Sequence, residues 1–175
     1  LRIVSALDRN RFEPYAILPA EGPLVGELKR LGCHVHIVSE MRKLTTRRGR
    51  AYFAWYVLNY PRAIRRIGGI IRREKIDLVH TNTLHNMYGF AVARATRRPH
   101  VWHVREIVWQ SILLRRVEVF LANRFADRVV VTSEAVRGMF TRADGSVPTH
   151  LRQIPNGVDV EVFNPRNSGR WIRNN

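Results

Sequence analysis

Apolar residues recur along this chain at two spacings, and the switches between them mark its elements. Leu1, Val4 and Leu7, with Ile3 beside them, have helical spacing and read as the end of an amphipathic helix. Asp8-Arg9-Asn10-Arg11 is the loop after it, and Phe12 to Pro19 reads as a strand ended by proline. Gly22-Pro23 opens a helix whose inner stripe is Leu24, Val25, Leu28 and Leu31, with Gly32 as its stop. Cys33 to Val38 alternates as a strand that puts His34 and His36 on one face. A basic connector, Met41 to Arg50, carries Arg42, Lys43, Arg47, Arg48 and Arg50.

The longest helical pattern follows. Phe53, Tyr56, Val57, Tyr60, Ile64, Ile67 and Ile71 make its stripe, arginines line most of the rest, and Pro61 is expected to divide it. Ile76 to His80 reads as a short buried strand and Leu84 to Thr96 as a helix with small residues for close packing. His100 to Val104 is a strand, Ile112 to Ala126 a helix, and Arg128 to Thr132 a β-branched buried strand. Ser133 caps a helix that runs to Phe140. After the loop Arg142 to Thr149, the stretch His150 to Ile154 is a last short strand, ended by Pro155. Strands alternate with helices throughout, which predicts an α/β fold with a parallel sheet and helices on both faces. The domain spans residues 1–165, and 166–175 form a polar, frayed tail.

Composition narrows the class. A length of 175 residues, 45% hydrophobic content and a mean hydropathy of -0.24 describe one soluble globular domain. No apolar run approaches the roughly 20 residues of a membrane span, and no signal peptide is evident. The chain begins at Leu1 rather than Met, as a trimmed or processed piece would. Cys33 stands alone, which fits a reducing, cytoplasmic compartment. The formal net charge of +16 comes almost wholly from arginine and suits phosphorylated substrates, anionic lipid or nucleic acid.

Several chemistries are missing. There is no GxGxxG fingerprint, no phosphate loop of the Walker type and no GxSxG elbow. The histidines lack metal-ligand spacing, and His100 and His103 fall on opposite faces of a strand, so no metal is expected. No RNA- or DNA-binding module appears, and nucleic acid is not an expected partner.

The most informative stretch is Ile154-Pro155-Asn156-Gly157-Val158-Asp159 with Phe163-Asn164-Pro165. Asn156-Gly157 is a strong turn signal because both residues tolerate positive φ. The resulting corner follows a strand, where open α/β sheets collect ligands. Together with Lys75-Ile76-Asp77-Leu78-Val79-His80-Thr81-Asn82, Arg128-Val129-Val130-Val131-Thr132-Ser133-Glu134 and the Gly22-Pro23-Leu24 to Val35 stretch, it resembles the amino-terminal domain of GT-B glycosyltransferases of family 4. His103-Val104-Arg105-Glu106 sits where that family often has a His-containing loop.

The resemblance implies one Rossmann-like half of a two-domain enzyme. The carboxy-terminal half would grip a nucleotide-sugar donor, and this half would bind a glycan or lipid-linked acceptor. Transfer would retain anomeric configuration without a metal or other cofactor. The donor-binding half and the family's first strand lie outside this sequence. That leaves two interior sheet edges without partners and a chain expected to be marginally folded and inactive alone.

The resemblance makes His103 the candidate catalytic residue, contacting the acceptor or developing charge; a packed strand-end histidine is the bland alternative. Thr81, Asn82, Arg105 and Glu106 are candidate substrate-binding residues, although Asn82 also suits a turn and Arg105-Glu106 a surface ion pair. Asn156, Gly157 and Asp159 would shape the interdomain corner.

Aromatics Tyr52, Phe53, Trp55, Tyr56 and Tyr60 among arginines suit an interfacial helix on an anionic membrane, peripheral on its inner face. A helix packed on the sheet with a solvated basic face is the other reading. The remaining alternatives for the chain are a GT-B nucleotide-sugar epimerase fragment and a non-catalytic basic α/β domain binding membrane or nucleic acid.

Overall fold

The structure, a computed structural model, describes residues 1–42, 49–108 and 111–157. Lys43, Arg47, Arg48, Asp159, Phe163 and Pro165 lie outside the described residues, as does the 166–175 tail.

Among the described residues twelve elements follow the expected alternation: α1 (Arg2–Ser5), β1 (Tyr15–Leu18), α2 (Pro23–Arg30), β2 (His34–Ile37), α3 (Arg50–Arg73), β3 (Val79–Thr81), α4 (Tyr88–Thr96), β4 (His100–Val104), α5 (Ile112–Phe125), β5 (Arg128–Val131), α6 (Glu134–Gly138) and β6 (Leu151–Gln153). Every strand pair is parallel, with helices on both sides, as in a Rossmann-like half of a GT-B fold.

The described strands form two sheets, β1-β2 and β3-β4-β5-β6, rather than one. Pro14 and Leu18 carbonyls accept from His34 and Val38 of the β2 segment. Parallel ladders use alternate residues, so Tyr15 and Ile17 turn their backbone N–H and C=O groups the other way. The Val79 N–H donates to the Pro99 carbonyl at 2.9 Å, which likewise turns the backbone groups of Leu78 and His80 away from β4. These four residues line one slot between the sheets, a cavity of about 130 Å³ floored by Ile67, Ile71 and Val92.

One core joins α3 and α4 beneath this slot, with Val38, Tyr56, Ala63, Ile67, Ile70, Ile71, Tyr88 and Val92 buried together. A second core sits under the four-stranded sheet and holds Leu84, Trp102, Val104, Val129, Val131, Val136 and Phe140. Registers Thr81↔Trp102 and Trp102↔Val129 put these side chains on one face. The opposite face carries His80, Val101, His103, Val130 and Arg152. It is only partly covered, so β5 is not buried on both faces as its Val run suggested.

Three local expectations need correction. Pro61 does not divide the long helix, which runs unbroken from Arg50 to Arg73. Pro61 and Val57, whose carbonyl loses its partner, both lie on the exposed side, so the cost of an unsatisfied buried group does not arise. The α4 helix begins at Tyr88 rather than Leu84, because side chains from β4's end and α5 hold residues 83–85 in a loop. The third strand is only Val79–Thr81; Ile76, Asp77 and Leu78 precede it without ladder partners.

Gly32 does stop its helix at a positive φ of 67°. Gly89 is needed for a different reason. A Cβ there would lie 1.7 Å from Thr81 Oγ1, so only glycine lets α4 approach β3 this closely.

Candidate functional site

Parallel strands end together on one edge of the larger sheet. The segments leaving β3, β4, β5 and β6 therefore lie along one edge, the place where open α/β sheets form a ligand crevice. Asn82 follows β3 and Arg105 follows β4; both are exposed. Neither side chain has a hydrogen-bond or ion-pair partner among the described residues, which leaves an amide and a guanidinium available there. Glycan hydroxyls and phosphate oxygens are natural partners for such groups.

His103 is the penultimate residue of β4 and lies on the partly covered face, not beyond the strand's end. Its ring stands 5.6 Å from that of His80. The Nε2 atom is buried and has no hydrogen-bond partner among the described residues. Burial and the neighbouring Arg105 push the His103 pKa down against a smaller opposing pull from Glu106, so the ring is neutral at pH 7. A neutral imidazole with a vacant nitrogen can accept a proton from a hydroxyl or donate a hydrogen bond to one. His80 is likewise held neutral by the packed walls around it and by His103, although solvent reaches it along the slot.

Thr81 and Glu106 have internal partners instead of a free face. Thr81 is 3% exposed, and its hydroxyl shares a 2.8 Å hydrogen bond with buried His100 Nε2. Glu106 Oε1 accepts from the Thr83 hydroxyl and, at 2.8 Å, from the Leu84 N–H, while Oε2 accepts from the Arg105 N–H at 3.2 Å. This carboxylate fastens the loop after β3 to the end of β4. It makes no side-chain ion pair with Arg105. Its sequence neighbour is therefore the freer substrate-binding candidate.

The expected corner after β6 extends past the described residues, which end at Gly157. The Ile154 N–H still donates to the Val131 carbonyl at 2.8 Å, extending the pairing, and Pro155 then ends it. Asn156 and Gly157 are exposed and neither has a positive φ; the turn expected of them continues into residues outside the described range. The Gly157 carbonyl accepts from the Arg2 guanidinium, which ties α1 to this edge. At β5, Ser133 caps α6 by accepting from the Val136 N–H at 3.3 Å, and Glu134 pairs with Arg137 at 2.6 Å.

A buried pair that sequence reasoning missed flanks the crevice. His85 Nδ1 lies 2.8 Å from Glu118 Oε1, and Glu118 is fully buried, its Oε2 without a partner among the described residues. The signal was present: Glu118 is the one acid of α5 and sits between Leu114 and Ala122 on its inner stripe. Among the described residues no group of three or more His, Cys, Asp or Glu is placed to hold a metal ion.

An all-parallel α/β layer that exposes polar groups beyond its strand ends defines a Rossmann-like ligand-binding domain of the GT-B type. Residues 24–162 match the sequence model of Glycosyltransferase Family 4, and the chain belongs to that family. No curated protein matches it. The match supports a glycosyltransferase-type function with sugar donor and acceptor substrates in general.

Proposed function

We propose that this chain is the acceptor-side domain of a retaining glycosyltransferase. Sugar passes from a nucleotide-sugar donor to a glycan or lipid-linked acceptor. The donor is gripped mainly by a carboxy-terminal half of the enzyme, so residues 1–175 alone do not catalyse transfer. The observation that carries the reading is the polar edge beyond β3 and β4: the exposed Asn82 and Arg105 side chains have no partner among the described residues, and neutral His103, two residues before Arg105, has its Nε2 vacant there. In this reading His103 hydrogen-bonds the acceptor hydroxyl, and Arg105 holds an anionic or polar group of the acceptor. Asn82 fixes the acceptor's orientation. Asn156, Gly157 and Asp159 shape the cleft without chemistry, and no metal takes part.

The amino-terminal half of α3 supports a peripheral membrane role for this cytoplasmic domain. Phe53 is 57% and Leu58 71% exposed, with Trp55 and Val57 beside them. The Arg42 guanidinium stacks on Trp55 at 4.9 Å, and Arg50 and Arg62 are exposed nearby. No helix among the described residues is long and apolar enough to cross a membrane. Exposed aromatics among arginines suit the interface of an anionic bilayer.

Two experiments test these points. Purified chain incubated with labelled nucleotide-sugars and candidate acceptors is expected to give no product, and measured transfer would overturn its assignment as one half of an enzyme. Flotation with liposomes is expected to rise with anionic lipid and fall with salt. Binding indifferent to both would remove the membrane role.

A further inference from the structure

At the amino-terminal ends of β4 and β5, opposite the crevice, the chain carries a second recess that the glycosyltransferase reading does not use. It has a volume of about 580 Å³ and lies between the carboxyl ends of α4 and α5. That size is within the range of small-molecule sites. Arg94, Arg97, Arg98 and Arg124 line it, against a single lining carboxylate, Asp127. Asp127 is partly engaged already, since its Oδ2 accepts from the His100 N–H at 2.7 Å. Arg98 has a distant partner, Asp77, at 3.6 Å. Arg94, Arg97 and Arg124 have no carboxylate within ion-pair distance among the described residues.

Two features separate this recess from a merely solvated basic face. The first is order. Arg94 and Arg124 both stack on the Phe125 ring, at 5.2 and 5.4 Å. Phe125 stacks on Phe90 at 5.5 Å, and Phe90 on fully buried Trp102 at 5.9 Å. The two guanidiniums are thus fixed through an aromatic column rooted in the core, which lowers the entropy lost on binding. The second is that backbone groups free the arginines from capping. The Arg97 and Arg98 N–H groups bond the Arg94 and Ala93 carbonyls at 3.2 and 2.9 Å, closing the end of α4. The helix dipole accounts for a cation in each last turn, Arg94 and Arg124. It also favours the cations at and just past the end of α4, Arg97 and Arg98, which add to the same positive cluster.

We propose that this recess binds a phosphate-bearing ligand with at least two phosphate charges, at a site distinct from the acceptor crevice. Guanidinium forks match phosphate oxygens bidentately, and the convergence of unpaired arginines calls for more than one phosphate charge. The ligand is either a soluble diphosphate or a lipid phosphate headgroup. The proposal stands apart from the sugar-transfer reading, and its test needs no transfer activity.

The test is a titration of ¹⁵N-labelled protein with pyrophosphate at constant ionic strength. Shifts are expected to concentrate at the amides of Ala93, Arg97, Arg98 and Asp127. The double variant Arg94→Gln/Arg124→Gln is expected to weaken binding at least tenfold. Arg97→Gln, which touches no ring, is expected to weaken it severalfold with an unchanged melting temperature. An equal charge loss elsewhere, Arg11→Gln/Arg65→Gln, is expected to change affinity less than twofold. Shifts scattered over all basic faces, or equal losses in the two double variants, would overturn the site. Sedimentation with phosphatidic acid vesicles identifies the source. Vesicle binding weakened more by Arg94→Gln/Arg124→Gln than by the control double variant assigns a headgroup; vesicle binding no weaker than the control's while pyrophosphate binding falls assigns a soluble ligand. Both of these outcomes uphold the site.

Discussion

Replacing Gly89 by alanine probes the contact on which α4, β3 and the crevice loop depend. The added Cβ would stand 1.7 Å from Thr81 Oγ1, 3.0 Å from Thr81 Cβ and 3.2 Å from His100 Nε2. Thr81 is a short β-branched side chain, so its hydroxyl must rotate or the helix must lift. Overpacking of this kind costs about 1–3 kcal/mol. A rotated Thr81 also abandons its 2.8 Å bond to His100, which is 1% exposed and whose Nδ1 is already unpartnered. A stranded buried nitrogen adds about 1–3 kcal/mol. The sum, about 2–6 kcal/mol, is a large share of the ~5–15 kcal/mol typical of a domain.

Urea unfolding followed by tryptophan fluorescence reads the loss, because Trp102 is fully buried beside this contact. A double-mutant cycle with Thr81→Ala isolates the cause. Removing the hydroxyl removes the 1.7 Å clash, so the double variant should cost at least about 1 kcal/mol less than the sum of the singles. A Gly89→Ala loss under about 0.5 kcal/mol, or additivity within about 0.5 kcal/mol, would refute the close-approach reasoning.

Other outcomes follow from the same structure. Glu106→Ala strands the Leu84 N–H and the Thr83 hydroxyl and should cost about 1.5–3 kcal/mol in urea unfolding; a loss below about 0.5 would show the loop is held otherwise. Burial pushes the His100 pKa down to about 4, with Asp127 opposing and His80 assisting. Its folded pKa is thus below the ordinary 6.5, so its stabilising contribution is complete above pH 6.5 and is lost as pH falls through 4. The loss amounts to roughly 3 kcal/mol, and His100→Gln should flatten stability across that window. If stability stays level from pH 6.5 to 4, the burial argument fails. Hydrogen exchange should alternate along the slot, fast at the amides of Tyr15, Ile17, Leu78 and His80 and slower at Ala16, Leu18, Val79 and Thr81. Uniform protection would mean the two sheet edges are satisfied.

Periodicity and caps carried the element order, because each signal there is local. The β4 strand spans His100–Val104 as its pattern indicates, and Ser133 caps α6 through its own hydroxyl. Pro61 misled because its cost depends on the exposure of the carbonyl four residues back, which no local pattern reveals. The start of α4 was misplaced for a similar reason. Leu84 to Met87 has helical composition, but Glu106 and Glu118, 22 and 33 residues away, hold that segment in a loop. At the site, the sequence singled out the segments leaving β3 and β4. It did not separate Thr81 and Glu106, whose polar atoms turn inward, from Asn82 and Arg105, whose atoms stay free. Strand alternation would have placed Thr81 beside Trp102 had the register been known. No local pattern revealed that Arg2, more than 150 positions earlier, donates to the Gly157 carbonyl beside the expected corner.

The central claim is that the crevice beyond β3 and β4 receives a sugar acceptor. A titration of ¹⁵N-labelled protein with a panel of glycans and a polyprenyl phosphate analogue tests it most directly. The account predicts saturable shifts at Asn82, His103 and Arg105, lost in a His103→Ala/Arg105→Ala variant that keeps its melting temperature. No saturable shift with any acceptor in the panel, or saturable shifts confined to the opposite end of the sheet, would contradict it.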